Sequence, residues 1–66
     1  MNKEKIFSKF LHGDIQKDTP YAEELGVLHA EFTRRCEGRG CQACRRRNAT
    51  NAMKPKVVDL LSKYEE

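Results

Sequence analysis

Tyr21, Leu25, Leu28 and Phe32 recur at intervals of four, three and four residues, and this stripe constrains the fold more than any other feature of the chain. Only an α-helix brings positions so spaced onto one face. The signals ahead of the stripe agree with a helix start. Thr19 suits an N-cap, Pro20 the first turn, and Glu23 and Glu24 the electropositive end. Gly26 lies off the stripe and costs up to about 1 kcal/mol relative to alanine. Cys36 follows Phe32 by four residues and extends the stripe, while Arg34 and Arg35 suit the negative C-terminal end. Gly38 and Gly40 then stop the helix and permit a tight loop. The spacing predicts a helix over residues 20–35.

Two weaker patterns flank it. Ile6, Phe7, Phe10 and Leu11 share one helical face opposite Lys3, Lys5 and Lys9, which predicts a helix over residues 3–12 with Gly13 as its stop. Residues 13–19 form a polar connection. Beyond the glycines, residues 44–53 have little apolar content (Ala49, Ala52, Met53) and read as a short helix at most. Pro55 suits the first turn of a last helix, residues 55–64, with Val57, Val58, Leu60, Leu61 and Tyr64 on one face. No segment alternates with period two. The expected class is mainly α, a single small domain over residues 1–66, with two to four short helices around a cysteine-rich loop.

The core available to such a domain is thin. Of 66 residues only 38% are apolar, and there is no tryptophan. Chains this short usually need a disulfide, a metal or a partner to supplement their apolar burial. The apolar run from Ile6 to Leu11 is broken by Lys9 and does not read as a signal core, and no stretch reaches the roughly 18 apolar residues of a membrane span. A cytoplasmic setting is therefore expected, where thiols stay reduced and cysteines more often bind metal than pair.

All three cysteines and all six arginines fall within residues 34–47. The cysteine spacing is Cys36-x4-Cys41-x2-Cys44. Two residues between thiolates let both sulfurs converge on one tetrahedral zinc, and Gly40 eases the turn. The expectation is one zinc per chain held by Cys36, Cys41 and Cys44, with His29 as fourth ligand and His12 as the alternative. Asp14 is a weaker oxygen donor. Seven residues of unbroken helix rise roughly 10.5 Å, so His29 serves only if the helix bends or ends before Cys36. Zinc here would supply folding energy that the core lacks.

Residues 36–44 resemble the cluster-binding loop of plant-type [2Fe-2S] ferredoxins, which share Cys-x4-Cys-x2-Cys. That resemblance implies an iron–sulfur cluster as a minor alternative, but no fourth cysteine follows and no β-rich fold is predicted. The stretch Cys36-Glu37-Gly38-Arg39-Gly40 also resembles a fragment of the zinc repeats of DnaJ-type chaperones.

The arginines carry the functional expectation. Residues 34–47 hold six arginines against Glu37 alone, while the rest of the chain has seven lysines and nine acids. Arginine offers a planar fork that matches phosphate, and lysine only a compact charge. Arg34, Arg35, Arg39, Arg45, Arg46 and Arg47 are the expected backbone contacts, with Asn48 and Asn51 available to base edges. The bland use of the same charges is to balance a thiolate-bound zinc and a helix end. No aromatic lies between Phe32 and Tyr64, so a stacking platform for single strands is missing.

The expected function is thus a small zinc-binding regulatory protein that contacts nucleic acid through its cysteine loop. The alternative is an inhibitor or adaptor docking on a protein of the transcription or replication machinery, with a purely structural zinc. An enzyme and a small-molecule substrate are not expected: there is no Gly-rich phosphate loop, no Ser-His-Asp set and no evident pair of catalytic carboxylates, and a chain this short hardly forms a deep pocket.

Overall fold

A computed structural model describes residues 2–65, and in it the chain forms three helices: α1 over Lys3–Leu11, α2 over Ala22–Cys36 and α3 over Gln42–Lys63. Among the described residues there is no strand. Each helix begins and ends for a local reason. The Asn2 side chain accepts from the Lys5 backbone N–H at 3.0 Å and caps α1. At the other end Gly13 takes φ +78° and donates to the Phe10 carbonyl, while Asp14 donates to that of Lys9. This paired closure needs a left-handed residue, which is why glycine stands there.

The start of α2 differs from the expected cap. Tyr21 is its N-cap residue and makes no side-chain capping bond; Thr19 instead donates its hydroxyl to the Gln16 carbonyl at 2.8 Å. Burial explains the shift, because Tyr21 is only 8% exposed and is drawn into the core.

A larger correction concerns the C-terminal half. The short helix over residues 44–53 and the last helix over residues 55–64 are one helix, α3, with Pro55 inside it. An interior proline lacks the N–H that would reach the carbonyl four residues back and costs about 3 kcal/mol. Met53, Val57, Leu60 and Leu61 are each 4% exposed or less, and at about 1.5–3 kcal/mol per large side chain their burial outweighs that cost. Pro55 and Asn51 are both exposed, so water can reach the freed carbonyl.

The core joins all three helices. Phe7 and Phe10 come from α1, Tyr21, Leu25 and Phe32 from the α2 segment, and Ala49, Met53, Val57, Leu60 and Leu61 from α3. Ile6, Leu11, Ile15, Leu28 and Cys36 close its edges. Phe10 is the hub, fully buried, with ring centroids at 5.9 Å from Phe7, 5.5 Å from His29 and 5.9 Å from Phe32.

The principal interface runs between α2 and α3, and two polar ties define its antiparallel register. Lys56 meets Glu31 at 2.7 Å and the Tyr64 hydroxyl donates to Glu24 at 3.0 Å. Five residues on from Glu31 along α2, and five back from Lys56 along α3, Cys36 stands level with Asn51. At 1.5 Å per residue, the portion of α3 from Gln42 to Asn48, ahead of the buried Ala49, extends about 10 Å past the packed part of the bundle. The described residues span 41 × 18 × 15 Å, the long axis expected of a helix that outruns its partners.

Candidate nucleic-acid interface

The projecting end of α3 is held by one arginine. Residues 37–40 climb back along the helix in an open course, with Glu37 extended and Gly38 and Gly40 at φ +128° and +110°. Arg45, half-buried, reaches across this loop and donates to the carbonyls of Glu37, at 3.2 Å, and of Arg39. A Cβ at Gly38 would lie 2.5 Å from Arg45 Nη1. The backbone angle requires glycine there, and the guanidinium fills the space that its missing side chain leaves. Arg45, expected as a phosphate contact, is the loop's brace.

The other arginines divide by their partners. Arg35 is bonded to Glu31 at 3.1 Å, one turn back on α2. Glu31 also takes Lys56, and these two cations, Lys56 first, hold its carboxyl below the usual carboxylate range. Among the described residues Arg34, Arg39, Arg46 and Arg47 make no ion pair. All four are exposed, as are Asn48 and Asn51. From Gly38 to Val58 the chain carries six cationic side chains and no carboxylate. From Gln42 to Asn48 no residue of α3 is buried; Ala49 is the first that is. Lys54 joins Arg47 and Asn51 on one exposed face, at spacings of four and three residues. That lysine was legible from the spacing alone and falls outside the expected residue set.

The cysteines lie at the same end. Cys41 is the N-cap residue of α3, and its Sγ accepts the Cys44 backbone N–H at 3.3 Å. Both side chains are exposed, while Cys36 is half-buried against the core. The Cys44 thiol and the N–H groups of Cys44 and Ala43 draw the Cys41 thiol below the ordinary cysteine range, and the same bond pushes Cys44 up.

The histidines lie elsewhere. His12 is the exposed C-cap residue of α1. His29 packs edge-on against Phe10 and at 6.1 Å from Phe32, beneath the Gly13 turn, where an added Cβ would come within 3.5 Å of its Nε2. Since α2 is unbroken through Cys36, the two residues stay about 10.5 Å apart along its axis. Among the described residues, no three His, Cys, Asp or Glu side chains converge on a position that would hold a metal ion. Cys41 and Cys44 are brought together; Cys36, His29 and His12 do not join them.

No helix among the described residues is long and apolar enough to cross a membrane. Comparison with protein-family models, with curated proteins and with solved structures finds no match to this chain.

Proposed function

We propose that this protein is a regulatory nucleic-acid-binding protein whose working surface is the projecting end of α3 with the loop before it. One observation carries the reading: Arg39, Arg46 and Arg47 are exposed and without ion pairs among the described residues, in a stretch that has no carboxylate from Gly38 to Val58, and Arg34, likewise exposed and without an ion pair, lies just before it. Outside this stretch acids and bases are interspersed along the chain, and Glu31 pairs with Arg35 and Lys56, and Lys3 with Glu65. An unopposed cluster of guanidinium groups matches a polyanion, whose binding releases condensed counterions.

Zinc belongs to this reading in a narrower form. Cys41 and Cys44, one helical turn apart, are the paired donors; a three-thiolate site would require Cys36 to leave the edge of the core.

The direct test is fluorescence anisotropy with labelled oligonucleotides, comparing the unaltered protein with an Arg39→Gln, Arg46→Gln, Arg47→Gln variant. The reading expects binding that weakens steeply with salt and is lost in the variant, while helix content by circular dichroism is unchanged. Binding that survives the substitutions would overturn it. Docking on a protein is the competing use, favoured by Val27, which is 67% exposed beside a shallow groove with Leu28 and Leu60. Loss of partner capture on Val27→Asp, with the arginines intact, would point there instead.

A further inference from the structure

From the way α3 outruns α2, we propose that the nucleic acid is duplex DNA and that α3 enters its major groove, reading base edges with Arg47, Asn48 and Asn51. This rests on the nucleic-acid reading above and adds the partner's form and the docking geometry.

Shape is the first ground. A helix with its side chains is about 10–12 Å across, and the major groove of B-form DNA is about 12 Å wide and 8.5 Å deep. A helix enters this slot only with a face that its own domain leaves free. Here the first stretch of α3, from Gln42 to Asn48 and about 10 Å long, contributes no residue to the core, which α3 joins only at Ala49. The free length exceeds the depth of the groove. Only the 37–40 loop accompanies it, and Arg45 holds that loop against the helix.

Side-chain chemistry is the second. Arg47, Asn48 and Asn51 are exposed on the projecting part and at its base. Arginine forks onto guanine O6 and N7, and asparagine pairs with adenine N6 and N7, the contacts that the major groove exposes. Arg39 at the loop and Lys54 further along the helix lie to either side, where the phosphate walls of the groove would meet them. The missing aromatics argue against single strands, which are held mainly by base stacking. The major groove of A-form RNA is deep and narrow and excludes a helix.

The test is a titration of the unaltered protein against three probes of matched length: a mixed-sequence DNA duplex, the corresponding RNA duplex and the DNA single strand. Groove entry expects the DNA duplex to bind at least about tenfold more tightly than either of the others. Dimethyl sulfate probing of the complex should show protected guanine N7 atoms, which lie in the major groove. In selection from a randomised duplex pool, Asn48→Ala with Asn51→Ala should erase sequence preference at one or two positions. Tighter binding to RNA duplex or single strand, or unprotected N7 atoms, would overturn groove entry and leave the nucleic-acid reading standing. Absence of binding to all three would remove both.

Discussion

Neutralising Arg46 and Arg47 should change the salt dependence of binding by a predictable amount, while neutralising Arg35 should not. Four arginines are exposed and without ion pairs among the described residues, namely Arg34, Arg39, Arg46 and Arg47. Counting these arginines alone, with one neutralised charge for each whether it meets a phosphate or a base edge, the logarithm of the association constant falls with the logarithm of salt at a slope of about −3.6. Raising salt from about 50 to 200 mM then weakens binding about 150-fold. Removing two of the four contacts halves the slope to about −1.8, and the same salt change costs only about twelvefold. Arg35 already spends its charge on Glu31, so Arg35→Gln leaves the slope within about half a unit of the original. Anisotropy titrations at four or five salt concentrations read these slopes directly. The assignment of partnered and unpartnered arginines fails if Arg35→Gln flattens the slope as much as Arg46→Gln with Arg47→Gln does.

Three further outcomes follow from the geometry. Phe10→Ala removes the buried hub of the aromatic cluster and should cost about 3–5 kcal/mol; against about 3–10 kcal/mol for a chain of this size, thermal unfolding should begin at least about 15 °C lower. In metal-free protein Cys41 should react with iodoacetamide faster than Cys44 at neutral pH, because its lowered pKa puts more of it in the thiolate form, and the gap should close as pH rises and both ionise; mass spectrometry of the alkylated peptides reads the order, and equal rates at neutral pH would contradict it. Chelation should strip any zinc from the protein without loss of helical circular dichroism, since no core residue other than the edge residue Cys36 is a cysteine; loss of helicity would return the folding role to the metal.

The residues that were legible in the sequence are those whose spacing reports one face. Leu25 and Phe32 are buried as the α2 stripe required, Cys36 continues it at the edge, and Phe7 and Phe10 face inward from α1. What was misread came from competition between local and tertiary preferences. Pro55 is a helix starter by local chemistry, but Ala49, Met53, Val57 and Leu61 recur every four residues straight across it, and that run was the signal for one long helix. Thr19 is a good cap residue in isolation; the burial of Tyr21 overrides it. Among the arginines the limit is chemical. Arg45, Arg46 and Arg47 are identical and consecutive, and only the path of residues 37–40 in space singles out Arg45 as the brace. Of the expected metal ligands the structure brings Cys41 and Cys44 together, while α2 spreads His29 and Cys36 along a rigid axis that residue counts alone do not show.

Chemical-shift mapping is the most direct measurement: the ¹H–¹⁵N NMR spectrum of labelled protein, followed while a short DNA duplex is added. Perturbations concentrated on Arg34, Arg39 and the face from Arg46 to Lys54, with Phe7, Leu25 and Leu61 unmoved, would place the nucleic acid on the projecting end of α3. An unchanged spectrum, or shifts centred on Val27, Leu28 and Leu60, would contradict that placement and the function built on it.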